Sequence, residues 1–327
     1  MRAAVHSRYG PPEVVTVAEV EAPTSAADEL LVRVHATPVN RTDVAYRSGT
    51  PFLARFVSGM PRPRATVWGT EFAGVVEAVG GDVTKFVVGE RVFGYVEGTF
   101  GAHAELLTVS QDASVATIPD GVDLPHAAAA TEGAHYALAF IQRGGLRSGQ
   151  RVLVNGATGA IGSAAVQLAV SIGATVTAVT DTDHLDLVRG LGAERVIDHL
   201  SVDFTSDDQR YDAVFDTVGK STFGACRRLL VPGGVYLSSE LGPGWQNPAL
   251  ALLTPALRHT PLFGSRHVAF PYPTHDQAMI ERLAALLERG EFRPVLDRTY
   301  PLESVVDAYR YVETGRKVGS VILDPLA

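Results

Sequence analysis

The run Asn155-Gly-Ala-Thr-Gly-Ala-Ile-Gly162 suits one task, the holding of a phosphate chain by main-chain groups. Arg151 to Asn155 reads as a short buried strand, Gly156 to Ile161 as a tight turn, and Gly162 to Ser171 as the opening of a helix with an apolar stripe at Val166, Ala169 and Val170. A strand that turns into a helix leaves unpaired N–H groups at the turn, and the positive end of the helix dipole adds to them, so a pyrophosphate can bind there. Gly159 lets the main chain approach the phosphates, and Gly162 lets helix and strand pack closely. The next strand, Thr175 to Thr180, ends at Thr180-Asp181-Thr182, about 20 residues on, where such a fold reads the ribose of a dinucleotide. An acidic Asp181 hydrogen-bonds a free 2′-hydroxyl and repels a 2′-phosphate; its alternative role is to cap the following helix. Arg195, His199 and Arg316 are the nearby candidates for positive charge.

The elements around the turn carry it. A helix is expected over Asp183 to Leu191, then strands at Arg195 to Ile197 and Tyr211 to Asp216. A helix over Ser221 to Leu230 follows, and after the Pro232-Gly233-Gly234 turn a strand from Gly234 to Ser239. Strand and helix alternate as βαβ units on a parallel sheet require. The first hundred residues read differently. Leu30 to Ala36, Phe72 to Val79, Arg91 to Val96 and His103 to Val109 are strand candidates bounded by Gly, Pro and Asp, with few helices between. After Ala269 come a helix at Gln277 to Arg289, extended segments at Val295 to Tyr300 and Val318 to Leu323, and a helix near Leu302 to Thr314. This tail is expected to pack back onto the N-terminal part, which divides the chain into 1–122 with 271–327 and a central 123–270. A ligand is expected in the cleft between them.

Bulk properties remove several function classes. The chain has 327 residues, 46% of them hydrophobic and 20% charged, an ordinary globular composition. A net charge of −8 with scattered basic residues leaves no footprint for nucleic acid. The apolar stretch Ala249 to Leu257 is broken by Pro255, and no segment is long enough to span a bilayer. One cysteine, Cys226, excludes an intramolecular disulfide framework and fits a reducing cytoplasm. The start of the chain carries no apolar signal segment, so the expected location is cytoplasmic.

The pattern resembles the medium-chain dehydrogenase/reductase superfamily, in particular its zinc-free quinone-oxidoreductase branch. The resemblance rests on Tyr9-Gly-Pro-Pro-Glu13, Val39-Asn-Arg-Thr-Asp43 with Arg47-Ser-Gly49, Gly69 to Val76, and Val88 to Gly94. It continues through Ile118 to Gly121, Asn155 to Leu168, Phe215 to Gly219, Leu229 to Gly234, Arg298 to Glu303 and Gly315 to Leu323. It implies an α/β fold: a Rossmann doubly wound parallel sheet plus a GroES-like β-rich domain formed by both chain ends, with a homodimer made through the cofactor domain. Zinc-dependent members resemble Cys-x-Thr-Asp and Gly-His-Glu where this chain has Asn40-Arg-Thr-Asp43 and Gly69-Thr70-Glu71, and neither amide nor hydroxyl is a good zinc ligand. No metal is therefore expected.

The resemblance further implies a cofactor site of Asn155, Ala157, Thr158, Gly159, Ala160, Ile161 and Gly162 at the turn. Thr180, Asp181 and His199 fall at the ribose, and Thr217, Val218, Gly219, Ser238 and Ser239 beyond it. Close zinc-free relatives use Ser or Thr at the ribose, which favours NADPH, with NADH open because Asp181 and Asp183 are acidic. Asn40 and Asp43 are placed on the floor under the nicotinamide, with Tyr46 and Arg47 just beyond. Asn40 is expected to bind a carbonyl or the cofactor, or else to cap a turn, and Asp43 to orient Arg47 or another basic group. Tyr136 stands where relatives carry a Thr close to the nicotinamide, beside Glu132 and His135, and Tyr or His could deliver a proton to a reduced enone. The segment from Trp245 to Tyr272 is expected to form a substrate wall. The implied activity is NAD(P)H-dependent reduction of a quinone or an α,β-unsaturated carbonyl. Two alternatives stand beside it, an enoyl-thioester or natural-product ene-reductase and a cofactor-binding protein with little turnover.

Overall fold

The computed structural model describes residues 1–257, 260 and 265–327, and divides into two units, Met1–Glu132 with His275–Ala327, and Gly133–Thr274. The division expected at 122 and 270 falls ten and four residues short of these breaks. Residues 258–259 and 261–264 of the expected substrate wall lie outside the described residues.

The first unit begins with a hairpin, β1 (Arg2–Val5) and β2 (Thr16–Glu19), and then the long β3 (Glu29–Val39). Helices α1 (Arg41–Ser48) and α2 (Ala54–Ser58) precede β4 (Glu71–Val79), β5 (Arg91–Tyr95), β6 (Leu106–Ser110), β7 (Ser114–Thr117) and α3 (Leu124–Ala128). β3 alternates buried and half-buried residues because one face packs on a core of Val32, Val34, Phe72, Val92 and Val115. The strand expected from His103 starts only at Leu106, and β1, β2 and β7, each of four residues, had too short an alternation to be read.

The second unit holds α4 (Glu132–Gly144, whose first residue belongs to the first unit), β8 (Arg151–Asn155), α5 (Ala160–Ser171) and β9 (Thr175–Thr180). It continues with α6 (Leu185–Gly190), β10 (Arg195–Asp198), β11 (Tyr211–Asp216), α7 (Phe223–Cys226), β12 (Leu230–Ser238), α8 (Gln246–Leu257) and β13 (His267–Ala269). The strands pair in parallel in the order β10-β9-β8-β11-β12-β13, a doubly wound sheet whose order reverses between β8 and β11. The helices expected over 183–191 and 221–230 are instead short α turns joined to 3-10 turns. Pro232-Gly233-Gly234 lies inside β12 as a bulge: the register against β11 jumps from Tyr211↔Leu230 to Ala213↔Val235, with Gly233 at φ 86°.

The chain then returns to the first unit with α9 (Gln277–Glu288), β14 (Leu296–Pro301), α10 (Val305–Glu313) and β15 (Ser320–Asp324). β15 pairs antiparallel with β3, Val321 opposite Val39 and Leu323 opposite Thr37, so both chain ends build one seven-stranded sheet as expected. Among the described residues no helix is long and apolar enough to cross a membrane.

Candidate active site

In the second unit the glycine turn takes its shape from steric necessity. A Cβ on Gly162 would lie 2.0 Å from the Gly156 carbonyl oxygen, and Gly156 itself adopts φ 85° under Val218. Gly156 and Ala157 donate their N–H groups to Val179 of β9 at 3.2 and 3.1 Å, and Thr217 Oγ1 donates to the Asn155 carbonyl at 2.8 Å, which ties the turn to both neighbouring strands. Helix α5 starts at Ala160, two residues earlier than expected, with Gly159 as an N-cap that offers no side-chain acceptor. The N–H groups of Ala160, Ile161 and Gly162 therefore lack an acceptor within the helix. The space before Gly159 is open: a Cβ there would meet only the Gly156 oxygen, at 3.7 Å. The Thr180 hydroxyl, buried at the end of β9, has no hydrogen-bond partner among the described residues. An uncapped helix start, an open approach and an orphaned hydroxyl at the strand end fit a dinucleotide.

The remaining expected cofactor residues cluster at the same strand ends. His199 is exposed and its N–H donates to the Thr180 carbonyl at 2.9 Å. Ser239 N–H donates to the Asp216 carbonyl at 3.2 Å, and Ser238 Oγ accepts from Glu240 N–H at 3.3 Å. Gly219, at φ 65°, packs so close to Glu240 that a Cβ would lie 2.1 Å from its Cγ. Asp181 does not cap the following turn with its side chain; its Oδ1 lies 2.5 Å from His184 Nδ1. Arg195 stands at the opposite end of the sheet, paired with Thr177 in register and with Asp207 at 2.7 Å, so it supplies no charge to the ribose end. Asp216 was not singled out from sequence, yet its fully buried carboxylate accepts from Asn155 Nδ2, Ser221 N–H and Tyr236 hydroxyl at 3.0, 2.9 and 3.0 Å. Tyr136 is half-buried in the first turns of α4 with its ring 5.0 Å from that of His135.

In the first unit Asn40 and Asp43 form a capping box on α1. Asn40 Oδ1 accepts from Asp43 N–H at 2.7 Å, and Asp43 Oδ2 accepts from Asn40 N–H at 3.0 Å. Both amide hydrogens of Asn40 are also used, toward Glu71 Oε2 at 2.9 Å and Thr70 Oγ1 at 3.2 Å. Of the two partners the sequence offers Asp43, Arg47 or another basic group, Arg47 is engaged elsewhere. The Arg47 guanidinium pairs with Glu313 and lies 5.0 Å over the Tyr309 ring, because α10 brings both to it. Asp43 faces His103 instead, 3.9 Å away, while burial and the nearby Glu71 and Glu97 raise its pKa well above the usual range. Tyr46 donates its hydroxyl to Glu97 and packs on Trp68 and Phe100.

Glu71 and Glu132 complete this cluster. Glu71 Oε1 accepts from the Thr131 hydroxyl and from Glu132 N–H at 2.6 Å. Glu132 Oε1 accepts from Thr42 Oγ1 at 2.6 Å. Neither was selected from sequence, although each is a charge inside an otherwise apolar or small-residue run, Gly69 to Val76 and Ala127 to Ala137. Among the described residues no three His, Cys, Asp or Glu side chains are grouped so as to hold a metal ion.

His6, stacked on Trp68 at 5.3 Å, is held down at about 4 by burial, with Arg47 and His103 adding to it. Its folded pKa lies below the ordinary 6.5, so the stability that His6 contributes is whole above pH 6.5 and is lost as pH falls toward about 4. His6→Phe keeps the stacking and removes the proton. The slope of unfolding free energy against pH in that window should fall by about 1.4 kcal/mol per unit relative to the parent, read from urea midpoints.

Comparison with known proteins agrees with both units. Residues 26–120 match the alcohol dehydrogenase GroES-like domain and residues 191–323 match the zinc-binding dehydrogenase family. The chain is 30% identical to a quinone oxidoreductase of Pseudomonas aeruginosa over 97% of both chains. It is likewise 30% identical to a 2-methylene-furan-3-one reductase of Solanum lycopersicum, over 100% of this chain and 79% of that one. The quinone oxidoreductase structure from Coxiella burnetii superposes with a TM-score of 0.86 at 24% identity, covering 99% of each chain, a likeness of fold.

Proposed function

This chain belongs to the medium-chain dehydrogenase/reductase superfamily, in its quinone-oxidoreductase branch, and on that premise we propose that it uses NADPH to reduce a quinone or an α,β-unsaturated carbonyl without zinc. The observation that carries the reading is the wiring of Asn40. Where zinc-dependent members resemble thiolate and imidazole, an amide donates to a hydroxyl and a carboxylate, so the local bonds are satisfied without a cation. With no Lewis acid to activate an alcohol, an acceptor that is already electrophilic is the suitable substrate. The names of two relatives, a quinone oxidoreductase and a 2-methylene-furan-3-one reductase, support that class.

A bound nicotinamide dinucleotide supplies the two electrons. The turn from Asn155 to Gly162 holds its pyrophosphate through the N–H groups at the start of α5, and Thr217, Val218, Gly219, Ser238 and Ser239 border its far half. Thr180, Asp181 and His199 meet the adenosine ribose. Two features there support NADPH: among the described residues the Thr180 hydroxyl has no partner, and Asp181 Oδ1 is already engaged by His184 Nδ1. By the same resemblance Asn40 and Asp43 position the floor of the site with Tyr46 just beyond them, and Tyr136 stands where relatives carry a Thr.

Steady-state turnover of metal-analysed protein tests the reading. NADPH oxidation with a quinone should proceed at unchanged rate in a chelator, give hydroquinone, and show a lower KM than with NADH. One stoichiometric zinc whose removal stops turnover would overturn the zinc-free assignment, and a clear NADH preference would make Asp181 the ribose ligand.

A further inference from the structure

Glu132 has one carboxyl oxygen with a partner and one without. Oε1 accepts the Thr42 hydroxyl, whereas Oε2 is buried and has no hydrogen-bond partner among the described residues, in a residue only 7% exposed. The groups around it are Asp43 on α1, Glu71 on β4, Glu97 after β5, and Lys317 before β15, with Arg41 acting on Lys317. Burial raises the pKa of Glu71 too, but three donors oppose that rise, Asn40 Nδ2, the Thr131 hydroxyl and the Glu132 N–H. Glu132 has a single donor. Burial, with repulsion from Glu71, Asp43 and Glu97, pushes its pKa well above the usual carboxylate range. The proton of the pair therefore rests on Glu132, and with Oε1 serving as acceptor it belongs on Oε2. A buried O–H without an acceptor is a group prepared for a ligand oxygen.

We propose that Glu132 is a catalytic acid, its Oε2–H donating to the carbonyl oxygen of the acceptor and doing there what a metal ion would do by polarising it. The inference rests on the reductase reading above. The bound dihydronicotinamide provides a hydrogen with two electrons, and Glu132 provides the matching proton. Its O–H bond breaks, an O–H bond forms on the acceptor oxygen, and the electron pair stays on the carboxylate. A quinone becomes a hydroquinone; an enone becomes an enol that tautomerises to the saturated ketone. The Thr42 hydroxyl and the attraction between Lys317 and Glu132 steady the carboxylate until water reprotonates it.

Glu132→Gln keeps the size and the Thr42 contact but has no proton to give. Infrared spectra of the cofactor-free protein at neutral pH should show a protonated-carboxyl stretch that this variant lacks. Turnover with NADPH and a quinone should fall by ~10²-fold in kcat/KM, and the decline of wild-type activity as pH rises should disappear. Thr42→Val, which removes a bond that favours the carboxylate, should move that decline to higher pH, and it serves as the test should Glu132→Gln fail to fold. Turnover with an unchanged pH profile in Glu132→Gln, or in Thr42→Val if that is the variant that folds, overturns the role of Glu132 alone. Absence of wild-type turnover with any quinone or enone overturns the reductase reading and this role with it.

Discussion

Gly162→Ala should weaken dinucleotide binding by about 10- to 100-fold, which corresponds to the about 1–3 kcal/mol that overpacking a tight contact costs. The new Cβ would sit 2.0 Å from the Gly156 oxygen, 2.8 Å from its carbon and 2.9 Å from Thr217 Oγ1. Two of these three atoms are backbone, held by the Gly156 and Ala157 bonds to Val179, so no side chain can swing aside to make room. Helix α5 must move away from β8, carrying the N–H groups of its first turn with it. Titration of the protein with NADPH, followed by fluorescence or calorimetry, measures the effect. Affinity within twofold of the parent would show that the phosphates do not rest on this turn. Gly159→Ala is the matched comparison, because its Cβ meets nothing closer than 3.7 Å in the protein. Any loss there reports on the ligand itself and not on packing.

Glu71→Ala should cost about 3–5 kcal/mol of folding stability, read from urea unfolding at neutral pH. The substitution removes the acceptor of one Asn40 Nδ2 hydrogen, of the Thr131 hydroxyl bond and of the Glu132 N–H, in residues that are 8%, 0% and 7% exposed. It also leaves Lys317 without one of the three acidic side chains, Glu132, Glu71 and Asp297, that counter the effect of its burial. Glu71→Gln should cost less, since one oxygen still accepts, though its amide hydrogens then face donors. Equal losses in the two variants would mean that packing, not hydrogen bonding, is what Glu71 provides.

The doubly wound sheet was readable because its signals are local. Arg151–Asn155, Thr175–Thr180 and Tyr211–Asp216 are short apolar runs bounded by turn residues, and they stand at the positions their patterns indicate. β13 was not read: three residues at a sheet edge carry too little pattern. Pro232 to Gly234 reads as a turn and is a bulge, since Pro-Gly-Gly looks the same in both and only the partner strand distinguishes them. The capping box at Asn40 and Asp43 is likewise written in the Asn-x-x-Asp spacing, though its weight beside a catalytic role could not be judged there.

Sequence by itself determined the class of cofactor, the order of elements and the loss of thiolate and imidazole at positions 40 and 70, because each depends on residues a few places apart. Tertiary structure alone decided how protons and charges are distributed. Glu71 and Glu132 are 61 residues apart in the chain, and Arg47 meets Glu313 across 266. Whether a buried carboxyl keeps its proton depends on how many donors converge on it and how much water is excluded, and both are properties of packing between distant segments.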